Sequence, residues 1–224
     1  MANKVFISAG HGGNDPGAVA NGLKEKDINL VIALACEAEL KRHGVEVKMR
    51  RTTDVGATSE QVAKVCNEYS PTLAVDIHNN AGGGNGAEAY YSQLGGTDKL
   101  LATNILNEVK VIGQNSRGIK TKKNSNGEDY YYFIREVNAP SVIVECAFLD
   151  NSEDVKIIDT KVEQEAMGVA IAKGILKTLG ITYKNPQPVT PTVYRIQFGN
   201  YSDKNEAQKV VSLLNALGVT ANIV

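Results

Sequence analysis

The stretch Ser8-Ala9-Gly10-His11-Gly12-Gly13-Asn14-Asp15-Pro16-Gly17-Ala18 constrains the fold of this chain more than any other. It follows Lys4-Val5-Phe6-Ile7, a short apolar run of β-prone residues that reads as a buried strand. The run stops at Gly10, and a glycine-rich turn carries His11 out of the strand end. Lacking a Cβ, Gly10, Gly12 and Gly13 let the backbone pass tightly around an imidazole. The other histidines are His43 and His78, and His78 also ends an apolar run, Leu73-Ala74-Val75-Asp76-Ile77. Groups at the carboxyl ends of strands in an open parallel sheet converge on one crevice. Two histidines so placed point to a bound metal.

The remaining pattern supplies such a sheet. Residues 4–9, the alternating Val45, Val47 and Met49, and residues 72–78, 87–91 and 141–145 read as strands. Helices fall between them. One begins near Glu25 with Ile28, Val31, Ile32 and Ala35 on a single face; another is capped by Thr58 or Ser59 and carries Val62, Val65, Cys66 and Tyr69. A third starts at Thr97 or Asp98, a short one at Asn151 or Ser152, and a long one spans residues 162–179. Alternating strands and helices imply a three-layer α/β domain with a largely parallel twisted sheet flanked by helices. Residues 113–128, polar and glycine-bearing, are expected as an exposed, mobile loop. Tyr130-Tyr131-Tyr132-Phe133-Ile134 is expected as a strand or a wall of the site. His43, in the basic turn before Gly44, is expected to complement a helix dipole.

That domain takes in residues 1–182. Prolines mark residues 183–192 as a semi-rigid linker. Residues 193–224 read as a small βαβ unit. Tyr194, Ile196 and Phe198 would lie on its first strand, Ala207, Val211, Leu214 and Leu217 on one helix face, and residues 219–224 on its second strand. A unit of about 32 residues is too small to stand alone, so a homodimer through it is one expectation.

Bulk properties exclude several classes. With 224 residues and a formal net charge of -1, the chain has no electrostatic footprint for nucleic acid. No apolar run approaches the ~20 residues of a membrane span. Cys36, Cys66 and Cys146 form no CxxC pair and are expected as buried thiols. The N-terminus runs straight into the first strand without a signal-peptide core, so synthesis in the cytoplasm is expected.

The chemistry then falls to four residues. His11 and His78 offer two imidazoles, and Glu25 and Glu145 two carboxylates. Two neutral imidazoles and one carboxylate make a three-ligand zinc site with its fourth position open. Glu25, near His11 along the chain, is the natural third ligand. Glu145 follows Val142-Ile143-Val144 and ends an apolar run, which suits a desolvated general base.

Six motifs carry a resemblance. They are Gly10-His11-Gly12-Gly13-Asn14-Asp15-Pro16-Gly17-Ala18, Glu25-Lys26-Asp27-Ile28-Asn29, Arg51-Thr52-Thr53-Asp54, Asp76-Ile77-His78-Asn79-Asn80-Ala81, Gly86-Ala87-Glu88-Ala89-Tyr90-Tyr91 and Val144-Glu145-Cys146-Ala147-Phe148-Leu149-Asp150-Asn151. In this order they resemble the zinc-dependent N-acetylmuramoyl-L-alanine amidases of the amidase-3 family, over about residues 4–180. The resemblance implies zinc on His11, Glu25 and His78, Glu145 as catalytic acid/base, and peptidoglycan as substrate, reached after release from the cell. Two positions depart from the family pattern: Asp76 replaces a serine, and Cys146-Ala147 stand between Glu145 and Phe148. Tyr194-Arg195-Ile196-Gln197-Phe198-Gly199-Asn200-Tyr201-Ser202 resembles the first half of a SPOR domain, a wall-binding repeat. A zinc peptidase cutting within the stem peptide and a non-catalytic wall-binding protein are the competing functions.

Overall fold

The computed structural model describes residues 3–186, 199–219, 221 and 223. The chain forms two compact units, Met1–Lys184 and Asn185–Val224. The first is built on a six-stranded sheet. Its strands are β1 (Lys4–Ala9), β4 (Glu46–Met49), β5 (Leu73–Asn80), β6 (Ala87–Tyr91), β7 (Ser116–Lys120) and β8 (Ser141–Phe148), in the spatial order β4-β1-β5-β8-β6-β7. Pairing is parallel except between β6 and β8, which run antiparallel. A separate two-stranded hairpin, β2 (Val19–Ala20) and β3 (Leu23–Lys24), occupies the loop after β1 and leads directly into the first helix.

Alternation along the central strands divides the apolar residues between two faces. Val5, Ile7, Val75, Ile77, Val142 and Val144 face the larger core. That core is closed by α1 (Glu25–Arg42), α3 (Thr97–Val111) and α6 (Lys161–Thr178) through Ile28, Ile32, Leu101, Ile105, Met167 and Ile171. Gly168 and Gly174 let α6 lie close: a Cβ would stand 2.3 Å from the Ile32 carbonyl oxygen at one and 2.4 Å from the Ile105 Cα at the other. On the opposite face Phe6, Ala74 and Ile143 meet Val62, Ala63 and Cys66 of α2 (Ser59–Tyr69) and Phe133 and Ile134 of α4 (Tyr132–Glu136). Thr58 and Gln61 close α2 with a capping box. The three layers and the largely parallel sheet are thus as the sequence pattern implies, and all three cysteines are buried free thiols.

Four local expectations are corrected. Residues 113–128 contain β7, whose partner β6 holds it by backbone pairing. From Tyr132 the aromatic run is a short helix rather than a strand, with Phe133 and Ile134 buried against the second core; its other expected role, as a wall of the site, is not overturned by this. Glu145 is interior to β8 rather than at its end, since Cys146-Ala147-Phe148 continue the strand. His43 does not act as a charge complement. Its Nδ1 donates to the Glu39 carbonyl and its Nε2 accepts from the Lys184 amide, both at 2.9 Å, and its ring stacks on Tyr183 at 5.0 Å. These contacts tie residues 183–184 to the end of α1.

In the second unit, α7 (Lys204–Ala216) is capped by the Asp203 side chain and closed at Gly218, φ +80°. None of its residues is buried. The expected strand through Tyr194, Ile196 and Phe198 lies outside the described residues, as do residues 187–192 of the linker. The described residues of 219–224 are not in a strand. No helix among the described residues is long and apolar enough to cross a membrane.

Candidate active site

His11 leaves the end of β1 with φ +60°, a left-handed conformation that few non-glycine residues adopt. Two arginines at the end of β4 hold it there. Arg50 donates to the carbonyls of Ala9 and His11, and Arg51 to those of Ala9 and Gly10 at 3.0 and 3.1 Å. Local strain is stable where the surroundings over-determine it. Asp54 adds a further brace, accepting from the Gly13 amide at 2.7 Å and from Lys26 at 2.6 Å. The Arg51-Thr52-Thr53-Asp54 motif thereby acquires a physical role: it clamps the loop that bears His11.

Glu25 is the first residue of α1, and it is buried. Its Oε2 accepts from the Ala18 amide at 2.8 Å, and its Oε1 accepts from the Asn79 amide at 3.1 Å and from Asn29 Nδ2 at 3.3 Å. Both imidazoles reach the same carboxylate. His11 Nε2 stands 3.2 Å from Oε2, and His78 Nδ1 stands 2.9 Å from Oε1. The two rings meet edge to face, with centroids 5.0 Å apart. One donor atom from each of His11, Glu25 and His78 lies within 4.8 Å of the others. The structure therefore brings these three residues together from a loop, a helix start and a strand.

The cluster sets one buried carboxylate against two imidazoles. Burial works against charge on Glu25, but hydrogen bonds from His11 and His78 outweigh it and hold the carboxyl far below its ordinary range. The Glu25 carboxylate draws His11 upward against desolvation. His78 is raised well above 6.5: burial opposes this, and Asp76 and Glu25 overcome it. Protons on imidazoles here balance a buried negative charge that a divalent ion could balance instead. Each ring also has a carboxylate at its outer nitrogen. Asp15 Oδ2 is 2.7 Å from His11 Nδ1, and Asp76 Oδ2 is 3.3 Å from His78 Nε2.

Glu145 pairs with His78 across the parallel β5–β8 ladder and with Glu88 across the antiparallel β6–β8 ladder. Its side chain shares the sheet face of Asp76 and His78. Its Oε2 is buried and has no hydrogen-bond partner among the described residues. Burial pushes this carboxyl up to about 7, with His78 pulling the other way and Glu25 and Glu88 adding to the rise. An unpartnered buried carboxyl oxygen is costly unless it is used.

Sequence reasoning did not single out Asp15, Asn29, Asn79 or Glu88 for these roles. Asn79 links to the helix through its Nδ2, which donates to Asn29 Oδ1 at 2.8 Å. Glu88 is buried and holds Arg117 at 2.7 Å, with Lys120 and the Tyr90 hydroxyl on the same carboxylate. A carboxylate in the apolar run Ala87-Glu88-Ala89 was the available signal for Glu88, as it was for Glu145.

Comparison with known proteins agrees with this geometry. Residues 5–177 match the family model described as N-acetylmuramoyl-L-alanine amidase. The chain is 31% identical to N-acetylmuramoyl-L-alanine amidase CwlM of Bacillus licheniformis, over 99% of this chain and 84% of that protein. It is 30% identical to the sporulation-specific N-acetylmuramoyl-L-alanine amidase of Bacillus subtilis, over 96% and 82%. Among solved structures, Cwp6 from Clostridium difficile superposes with a TM-score of 0.78 at 38% identity, covering 80% of this chain and 30% of that one. The catalytic domain of the amidase CwlV from Bacillus (Paenibacillus) polymyxa gives 0.72 at 30% identity, covering 80% and 99%. The six-stranded α/β unit and these likenesses make the chain a member of the N-acetylmuramoyl-L-alanine amidase family, hydrolases of the bond between N-acetylmuramic acid and the L-alanine that begins the stem peptide.

Proposed function

We propose that this amidase works with zinc held by His11, Glu25 and His78, and that Glu145 moves the proton. Support for zinc comes from the donor set. Two imidazole nitrogens and one carboxylate are the ligands of an open catalytic zinc site, and all three converge within 4.8 Å. When bound, zinc supplies Lewis acidity: it polarises the scissile carbonyl and makes a water acidic near neutral pH.

The chain's own residues supply the rest. Glu145 accepts the proton of the attacking water at its free carboxyl oxygen. The water oxygen bonds to the carbonyl carbon of the lactyl group, and the C–N bond to L-alanine breaks. Glu145 returns the proton to the departing amine nitrogen, so the products are a free carboxylic acid and a free amino terminus. A carboxyl near 7 serves both halves of this transfer, because acceptance and return are then nearly balanced at neutral pH. The observation that carries the proposal is the orphaned Glu145 Oε2 beside three convergent donors.

Elemental analysis and a wall digest test it. Wild type is expected to hold one zinc per chain and to release L-alanine amino termini from intact muramic acid. His78→Ala is expected to lose the metal. Glu145→Ala is expected to keep zinc while its turnover falls by about 10²–10⁴-fold. Wild-type turnover in Glu145→Ala, or unchanged zinc in His78→Ala, rejects the assignment. New termini within the stem peptide would mark a peptidase instead.

We infer, separately, that the second unit engages the wall or a second copy of the chain. Its helix α7 buries no residue, and Leu213 on it and Leu217 at its C-terminal cap are exposed, so apolar surface is left for a partner. The proposed site of action is the cell wall, after release from the cytoplasm.

A further inference from the structure

Asp76 is an anomaly in its strand. Leu73, Ala74, Val75 and Ile77 are buried apolar neighbours, and a carboxylate among them is expensive. Its Oδ1 is buried with no hydrogen-bond partner among the described residues. Arg50 feels its charge, but Arg50 spends its terminal nitrogens on the carbonyls of Ala9, His11 and Val55. Arg50 Nε is likewise buried without a partner among the described residues. The polar contact that Asp76 does make is to His78, two residues along the same strand and on the same face, at 3.3 Å from Nε2.

That nitrogen lies opposite the one facing Glu25. A carboxylate only accepts, so with carboxylates at both nitrogens the ring carries a proton on each, and the one facing Asp76 is on Nε2. A ring that releases its Nδ1 proton to a metal keeps the Nε2 proton against Asp76, and its lone pair then points where His11 and Glu25 converge. A carboxylate behind a ligating histidine fixes the tautomer and the ring plane. His11 has a similar arrangement with Asp15, but Asp15 is 66% exposed whereas the Asp76 side chain is 12% exposed. Water competes for the first contact far more than for the second.

We propose that Asp76 is a positioning residue that orients His78 and tightens the metal site. The inference rests on the reading of His11, Glu25 and His78 as zinc ligands. Its test is the zinc dissociation constant of the full chain, measured by competition with a chromophoric chelator at one pH, for wild type, Asp76→Ser and Asp76→Asn. The melting temperature of each metal-free protein is recorded alongside, as is the ¹⁵N chemical-shift pattern of the His78 ring.

Asp76→Ser is expected to bind zinc about 10–100-fold more weakly. Asp76→Asn keeps an acceptor oxygen in the same geometry and is expected to lie between Asp76→Ser and wild type. The ring nitrogens of zinc-loaded wild type are expected to report a proton on Nε2, with the variants showing a mixture or a weaker hydrogen bond. Zinc binding as tight as wild type in both variants overturns the proposal. So does a drop confined to the metal-free melting temperature, which would make Asp76 a residue of the fold alone. Absence of zinc binding by wild type is a different result: it removes the metal centre itself, and this inference with it.

Discussion

A Cβ added at Gly10 would stand 2.2 Å from the His78 ring, and one at Gly17 would stand 2.4 Å from Glu25 Oε2. Gly10 does not have a left-handed φ, so alanine there fits the backbone, and the nearest clash is with the His78 ring. Gly10→Ala is therefore expected to fold, with its melting temperature within a few degrees of wild type, while His78 is driven off its position. Zinc content should fall, and turnover should fall at least about 100-fold, since misplacement of about 1 Å costs that much in rate in a positioned site. A variant with normal zinc content would show that His78 has room the structure does not give it. At this scale the sequence was informative about donors and silent about their supports. His11, Glu25 and His78 could be picked out because strand ends and a helix start are readable from periodicity. Asn29 and Asn79 could not, because an asparagine on a helix or strand has no pattern until the fold brings its partner within 3 Å.

At the scale of elements, β7 was read as loop because Ser116, Arg117, Gly118 and Lys120 hide the single apolar residue Ile119. What joins it to the sheet, besides the backbone ladder, is the Glu88 carboxylate on β6, which takes both Arg117 and Lys120. Burial disfavours charge on Glu88, but those two cations and the Tyr90 hydroxyl hold its carboxyl below the ordinary value of 4.5. A carboxyl lowered by folding stabilises the native state above that ordinary value, and the contribution disappears as pH falls through the lowered one. Glu88→Gln should thus be less stable than wild type at pH 7, by about 1–2 kcal/mol once the half-exposed cations are discounted. The gap should close as the pH falls below the ordinary value and through the lowered one. Melting temperatures at a series of pH values measure it, and a gap that stays constant would assign the effect to shape rather than charge. The aromatic run before β8 teaches the same lesson from the other side. β-prone Tyr131, Tyr132, Phe133 and Ile134 suggested a strand, yet burial of Phe133 and Ile134 against α2 chose a helical turn. Tertiary packing decides short segments, whereas long periodic ones such as α1, α2 and α6 were legible directly.

For the whole molecule, the chain divides into two compact units after Lys184. The first unit contains the sheet, both cores and every residue assigned to the site, and the family match at residues 5–177 lies within it. Tyr183 and Lys184 belong with it physically, since His43 holds one by stacking and the other by a hydrogen bond. A chain ended after Lys184 is consequently expected to keep its zinc, its melting temperature and its turnover on a small muramyl peptide. Among the described residues of the second unit, none of α7 is buried, and Leu213 and Leu217 are 65% and 79% exposed. Those side chains gain from burial only against something else. The full chain is then expected either to sediment with purified sacculi more completely than the shortened one, or to scatter light with twice the monomer mass. Co-sedimentation with wall polymer at monomer mass assigns the tail to the substrate, and a doubled mass without added retention assigns it to pairing. Equal mass and equal retention in the two chains would take both roles away from α7 and leave hydrolysis entirely to the first unit.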